Sequence, residues 1–354
     1  MNHFEKIAAQ LVEQNLDAML VTSVPGEFYA AGFHGEGMVV ITPGETWYYT
    51  DSRYIEVAQQ QVTGAHVAMI RTGQTYRQLA QEIVADKGIE RMGFEDQYMS
   101  VAEYNLWKDG VTAQLVPASE ILNLLRMVKD QGELAVMREA QRVTDEAFTE
   151  ILNYIKPGVA ECEIAAQLTY IMASKGAERN SFDPIVACGT NGSKPHAVPG
   201  KDLIQPGQFV TMDFGCVVGG YCSDMTRTVA VGQPTDEMKL VYDTVLKAQL
   251  AGIAAAHGGV TGAEVHNAGA KVIAEAGYGA YFGHGFGHSL GIEIHENPRF
   301  SPLWDKVIPS GACLSAEPGI YLPGKFGVRI EDVIMLTDDG CIDITNSPKE
   351  LIVL

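Results

Sequence analysis

Two aspartates, Asp213 and Asp224, flank a glycine pair in the stretch VTMDFGCVVGGYCSDMTRTVAV, residues 210–231. The arms are rich in β-forming residues, and Gly219-Gly220 suits the positive φ of a tight hairpin turn. A turn about Val218-Gly219 sets Asp213 opposite Asp224. A turn about Gly219-Gly220 makes them diagonal neighbours on one face instead. Either register brings the carboxylates within about 5–8 Å, where like charges destabilise the pair unless a cation lies between them. The pattern therefore points to a metal.

A second stretch repeats it. In SAEPGIYLPGKFGVRIEDVIMLT, residues 315–337, Glu317 and Glu331 stand seven residues either side of Gly324. A loop centred there brings both to one face, although Pro318 cannot donate to a ladder and suggests an edge or a bulge. Between the two stretches, HGFGHSLG (284–291) supplies His284 and His288. Four carboxylates and an imidazole make an oxygen-rich site better suited to Mn²⁺ or Co²⁺ than to structural zinc, with Zn²⁺ also able to bind. The set is large enough for two ions about 3.5–4 Å apart. Taken singly, each residue has a structural reading, and Arg227 and Arg329 are available as buried partners for the acids. Two hairpins mirroring acidic pairs about glycine turns outweigh those readings.

MDFGCVVGGYCSDMTRT, HGFGHSLGIEIHENP, SAEPGIY and GVRIEDVIML resemble, in order and spacing, the motifs of the pita-bread metallopeptidases. That family includes aminopeptidase P, prolidase and methionine aminopeptidase, with the creatinases as metal-free relatives. FDPIVACGTNGSKPHAVPG, residues 182–200, resembles a further family segment bearing a functional histidine, here His196. The resemblance implies Asp213, Asp224, His288, Glu317 and Glu331 as ligands of two divalent ions. It implies that His196 and His295 bind substrate and stabilise or shuttle protons around the intermediate, and that Glu317 doubles as general base. His284, Arg299 and Arg329 are the expected substrate-side residues. His284 also stands where it could support the loop, and Arg329, two residues before Glu331, where it could orient carboxylates.

These residues need elements to hold them. Helical spacing of Phe4, Ile7, Ala8, Leu11 and Val12 predicts a first helix ending near Asn15, followed by a strand over 17–22. Strands are expected at 38–42 and 46–50 around Pro43-Gly44, then a helix to Gln61 capped by Asp51 or Ser52. Alternation continues with a strand at 67–70, a helix at 76–87, a strand at 91–94, a helix at 101–108 and a strand at 112–116. This reads as an α/β domain of residues 1–125, resembling the creatinase-like N-terminal domain of aminopeptidase P and prolidase. Its His34 and His66 are isolated and read as surface or core residues. Residues 130–354 read as the catalytic pita-bread domain, an α+β fold with a mostly antiparallel sheet. It opens with helices at 133–155 and 161–174 and adds two more at 235–256 and 262–276. Two helices followed by an acidic hairpin, occurring twice, hint at an internal pseudo-repeat.

The chain has 354 residues, a net charge of −19 and 46% hydrophobic residues. No basic face is visible, which excludes phosphate-led nucleic-acid binding. No apolar run has membrane-spanning length, and MNHFEKIAAQLVEQN carries acids where a leader would be basic. Six cysteines without a CxxC pair fit reduced thiols and a cytoplasmic protein, with a Cys216–Cys222 disulfide disfavoured.

The resulting expectation is a dimetal exopeptidase, a homodimer, acting on short peptides with proline in second position. An Xaa-Pro aminopeptidase is the first reading and an Xaa-Pro dipeptidase (prolidase) the second. A non-catalytic pita-bread peptide-binding module is the alternative of another class, and the full ligand set argues against it. The additional N-terminal domain argues against methionine aminopeptidase.

Overall fold

Phe4, Ile7 and Leu11 are the buried positions of helix α1 (His3–Glu13), whose Asn2 and Glu5 form a capping box. The computed structural model describes residues 2–354, and the chain divides into two units between Arg126 and Met127. Each is built around its own core.

In the first unit, β1 (Ala18–Val21), α2 (Val24–Ala31), β2 (Met38–Ile41), β3 (Thr46–Thr50) and α3 (Ile55–Gln61) follow α1. Then come β4 (His66–Met69), α4 (Tyr76–Lys87), β5 (Arg91–Phe94), α5 (Val101–Gly110), β6 (Gln114–Pro117) and α6 (Ser119–Met127). The strands form one mixed sheet in the order β4-β3-β2-β1-β5-β6. Leu20, Val40 and Met92 pack there against Ala80, Ile83 and Val84 of α4. Helix α2 is not apparent in the sequence pattern, because Pro25-Gly26 reads as a breaker. Proline is tolerated in a first turn, and Ser23 caps the helix by accepting from the Gly26 N–H. The expected cap of α3 is a correction: Tyr54 holds that place without a side-chain bond, and Asp51 binds Arg53 instead. His34 meets buried Glu27 at 2.9 Å, and His66 stacks on Trp47.

The second unit opens with α7 (Gln131–Ile151) and α8 (Glu161–Ser174), then β7 (Arg179–Asn180), β8 (Ile185–Cys188) and β9 (Gln208–Phe214). The first hairpin continues through β10 (Cys216–Val218), β11 (Tyr221–Cys222) and β12 (Met225–Val231). Helices α9 (Asp236–Ala255) and α10 (Gly262–Glu275) precede β13 (Gly287–Ser289) and β14 (Glu296–Phe300). The second hairpin is β15 (Cys313–Ala316), β16 (Gly319–Leu322), β17 (Phe326–Arg329) and β18 (Asp332–Thr337), with β19 (Gly340–Asp343) beside β18. All the paired strands of this unit run antiparallel.

The acids are diagonal neighbours in the first hairpin and mirrored in the second. Val218 pairs with Tyr221 about Gly219-Gly220, whose φ values are +53° and +76°. This is the two-residue turn that needs positive φ at both positions. The same register runs on through Asp213 opposite Thr226, so Asp224 lies diagonal to Asp213. In the second hairpin Gly319 pairs with Arg329 and Ala316 with Asp332, one register centred on Gly324. Pro318 falls in the break between β15 and β16, where it costs no ladder bond. Cys222 pairs with Val217 rather than Cys216, and all six cysteines are free.

The expected pseudo-repeat is visible as matched topology. Order β12-β9-β8 in one sheet corresponds to β18-β15-β13 in another, each after a helix pair. Isolated bridges Ala160–Leu203 and Thr261–Val307 fall just ahead of α8 and α10, in matching places.

Arg227 ties the two hairpins together. It is 1% exposed, pairs with Asp332 Oδ1 at 2.7 Å and donates to the carbonyls of Thr226, Glu331, Ser347 and Pro348. Removing one partner of such a buried pair costs about 3–5 kcal/mol. Arg227→Met is expected to lower the unfolding free energy by about that amount in urea titrations. A change within about 0.5 kcal/mol would refute this role.

Candidate metal centre

The alternation of β12 turns Asp224 and Thr226 to the same side, and Asp213 lies across from Thr226. The second hairpin docks here: the Glu331 N–H donates to Thr226 O at 3.0 Å. Glu331 is thereby set beside Asp224. Glu317 follows β15 and is tied to the β13 segment through its N–H on Phe286 O. On β13, His288 points its Nε2 at Glu317 Oε1, 3.3 Å away, and at Asp224 Oδ2, 3.6 Å away. Its Nδ1–H donates to Ser289 O, which leaves Nε2 unprotonated and facing two carboxylates.

That arrangement requires something positive between its members. Donor atoms of Asp224, His288 and Glu331 lie within 4.8 Å of one another. Asp213 Oδ1 and Asp224 Oδ1 are buried and have no hydrogen-bond partner among the described residues. Burial, then the charges of Glu331, Asp213 and Glu317, push the Asp224 carboxyl well above the usual range. Burial and the charges of Glu317 and Asp213 do the same to Glu331, and burial first pushes Glu317 up to about 7. Burial holds His288 down at about 3. Orphaned anionic oxygens and a lone pair aimed at one point fit a divalent cation.

A supporting network holds the acids in place. Arg329, 4% exposed, places Nη2 at 2.5 Å from Asp213 Oδ2 and Nε at 3.0 Å from Thr226 Oγ1. Thr226 in turn donates to Glu331 Oε2 at 2.6 Å. Arg329 Nη1 donates to Tyr321 OH and to Pro195 O. The Tyr321 O–H donates in turn to His284 Nε2 at 2.9 Å, since His284 Nδ1–H is spent on Gly285 O. Each nitrogen of Arg329 and of His284 therefore already has a protein partner. Burial, with the Arg329 charge, holds His284 at about 4 and thus neutral.

One cavity of about 980 Å³ gathers His196, His284, His295, Arg299 and Arg329 with the acids and His288. His196 is exposed on the loop after β8. His295 packs edge-on against His288 with ring centroids 4.4 Å apart. Arg299 is the register partner of His288 on β14 and shares its exposed face with His295. Phe182, Ile185, Tyr281 and Ile294 add apolar wall. Thr226 and Tyr321 escape a reading of the sequence. The signals for them are slight: Thr226 shares strand parity with Asp224, and Tyr321 ends SAEPGIY.

The carboxyl shifts set a pH dependence for the metal-free protein. As pH falls from 8 to 7, native Glu317, pushed up to about 7, takes up a proton that the unfolded chain, with ordinary carboxyls near 4, leaves in solution. At this group the native state then binds more protons, so its contribution to stability rises as pH falls, by up to about 1.4 kcal/mol per pH unit. His266, His284, His288 and His295, which burial holds down, work in the opposite sense as the unfolded imidazoles charge. Comparison with Glu317→Gln cancels the histidines: in chelator-treated protein the Tm of the parent, measured against that variant, should be higher at pH 7 than at pH 8. An equal or lower relative Tm at pH 7 would refute the electrostatic account.

Comparison with known proteins agrees with this architecture across the chain. Residues 135–338 match metallopeptidase family M24, and residues 4–128 match the creatinase/prolidase N-terminal domain. An uncharacterized peptidase of Bacillus subtilis, YqhT, is 42% identical over 352 residues, covering 99% of both chains. The solved Xaa-Pro dipeptidase from Bacillus anthracis is 40% identical, with TM-score 0.96 and 99% of each chain covered. The X-Pro aminopeptidase from Thermotoga maritima is 33% identical, with TM-score 0.92 and coverage of 96% of this chain and 98% of that one. A cation-seeking acidic cradle and full-length similarity lead to one conclusion: the chain belongs to metallopeptidase family M24 and is a metallo-exopeptidase of the pita-bread type.

Proposed function

We propose that the chain is a dimetal Xaa-Pro aminopeptidase, releasing the residue that precedes proline from short peptides, as a cytoplasmic homodimer. The observation that carries this reading is the convergence of five potential ligands on one cavity that also holds His196 and His295. Asp213, Asp224, His288, Glu317 and Glu331 would hold two divalent ions, with Mn²⁺ or Co²⁺ favoured by the oxygen-rich set and Zn²⁺ able to substitute. When bound, such ions polarise the scissile carbonyl and lower the pKa of water.

The chain's own groups supply the rest. Glu317, braced by Ser315 Oγ at 3.0 Å, is the base for the attacking water. His196 and His295 are left to hold the oxyanion and pass a proton to the leaving nitrogen. His284 and Arg329 act as positioning residues, since their nitrogens are engaged by Tyr321, Thr226, Asp213 and backbone carbonyls. A bond to proline has no N–H to donate, so recognition falls to shape, and Phe182, Tyr281 and Ile294 offer an apolar wall for the ring.

The cavity volume, at the upper end of the roughly 300–1,000 Å³ usual for small-molecule sites, supports peptides longer than two residues. Arg299 favours a second reading. Its exposed guanidinium lines the same cavity, where it could grip the free carboxylate of a dipeptide, as an Xaa-Pro dipeptidase requires.

Asp224→Asn is expected to abolish turnover and bound metal together, leaving the fold intact, as read by metal analysis and circular dichroism. Full activity in that variant would sink the ligand assignment. His196→Ala should keep its metal and lose about 10²–10⁴-fold in kcat. Loss of metal alongside would make His196 a ligand instead. Release of alanine from Ala-Pro-Ala supports the aminopeptidase reading. Cleavage of Ala-Pro alone, weakened by Arg299→Ala, establishes the dipeptidase. Failure to turn over either peptide with any of the three metals would leave a binding module.

A further inference from the structure

His196 is exposed, so its ring owes its position to the backbone that carries it. That backbone is a loop from Gly189 to Gly200, a 3₁₀ turn (Gly189–Ser193) followed by irregular chain. Glu161, the first residue of α8, is 0% exposed and lies beneath it. Its Oε1 accepts from the Cys188 N–H at 2.7 Å and from Asn191 Nδ2 at 3.0 Å, and its Oε2 accepts from the Gly200 N–H at 3.0 Å. One carboxylate thus clasps the residue before the loop, a residue within it and its last residue. The Glu161 and Cys162 N–H groups complete the clasp by donating to Asp202 O and Gly200 O.

The middle of the loop is fixed from the opposite side. A Cβ on Gly327 would lie 2.0 Å from Gly192 O, so β17 and the 3₁₀ turn touch backbone to backbone. Next to His196, Pro195 O accepts from Arg329 Nη1 at 3.3 Å. The loop is therefore pinned in its middle by the strand bearing Arg329 and closed at its ends by Glu161. In the second half of the pseudo-repeat the matching residue is Gly262, the first of α10. There no side chain intervenes, and a Cβ would meet Arg299 O at 2.0 Å. The two halves solve one problem differently, each anchoring a cavity-lining segment on the start of a helix. Of these two helix starts, that of α8 brings a buried carboxylate to the task and that of α10 does not.

We propose that Glu161 is a positioning residue for His196, acting on the reaction through the loop and not on substrate or metal. The inference rests on the reading of His196 as a substrate-facing group. Its carboxylate is matched to three donors, and E161Q would set an amide N–H against one of them. A displacement of about 1 Å at a reacting group can cost about 10²-fold in rate.

The test is a double-mutant cycle on the metal-loaded enzyme with an Xaa-Pro peptide, reading kcat per bound metal. E161Q is expected to lower kcat about 10–100-fold at unchanged metal content, and by less than about 3-fold when introduced into H196A. If H196A alone leaves kcat unchanged, the reading of His196 falls and the inference with it. If H196A is slow but E161Q imposes its full loss on that background, only the inference falls. It falls equally if E161Q lowers Tm and leaves kcat per metal intact. Should E161Q fail to fold, N191A removes one of the three donors from a half-exposed position. Its expected loss of about 3–10-fold should likewise vanish in H196A, and persistence there overturns the proposal.

Discussion

Four carboxylates that cannot tolerate one another set the terms for the catalytic unit. Two like charges about 4 Å apart repel by about 4 kcal/mol at an effective dielectric constant of 20. The charges of Asp213, Glu317 and Glu331 bear on Asp224 out of water, and among the described residues the one guanidinium beside them, Arg329, pairs directly with Asp213 alone of the four acids. Thr226 and Ser315 contribute hydroxyl donors, and His288 contributes a lone pair rather than a proton. The protein alone leaves the charge uncompensated. The scaffold must therefore be strong enough to hold repelling groups where a cation will later join them.

That strength comes from rigid parts meeting at few points. Each hairpin presents its acids through an unbroken antiparallel register on either side of a local interruption, at Gly215 in one and at Glu317-Pro318 in the other. Thr226 is the joint between them, bonded to Glu331 through both backbone and hydroxyl. Arg227 then locks the far side of the same strand to Asp332, which also receives Gln249 and Lys349. Adjacent residues thus face opposite ways, one arranging the ligands and the other anchoring their frame. The first unit uses buried carboxylates differently. Glu95 serves three donors from Thr22 and Ser23, and Glu27 serves Tyr48, Gly35, Gly37 and His34. Those acids are satisfied where they sit and leave nothing for a metal.

Much of this was legible in the residues. Mirrored acids about Gly324 predicted the second hairpin's register, because a three-residue turn centred on glycine leaves little freedom. The first hairpin left two registers open, and the choice between them rests on Gly219 and Gly220 both adopting positive φ. Helix α4 and strand β5 fall where periodicity put them, whereas α2 was hidden by Pro25-Gly26 and α6 by its place at the domain junction. The gathering of the histidines around one cavity was expected from the motifs, but their supporting bonds were not. Tyr321 and Thr226 are ordinary strand residues in the sequence, and only tertiary geometry shows that one orients His284 and the other Glu331. At α3 the cap is displaced: Asp51 accepts from the Arg53 N–H one turn ahead of the helix, whose own start at Tyr54 has no side-chain cap.

The grip of Arg227 on Ser347 O and Pro348 O has a bearing on how the chain is made. The two partners of the Ser347 bond are separated by 120 residues of sequence. During synthesis at about 5–20 residues per second, the first acidic hairpin leaves the ribosome several seconds before the carbonyls that Arg227 needs. In that interval its guanidinium and its two aspartates have no native partners from the second hairpin, and their burial would be costly. Closing so long a loop also carries a high entropic charge before any contact rewards it. The catalytic unit is thus a late-assembling structure of high contact order, and its acidic cradle takes shape only after the second hairpin and the segment through Pro348 have emerged.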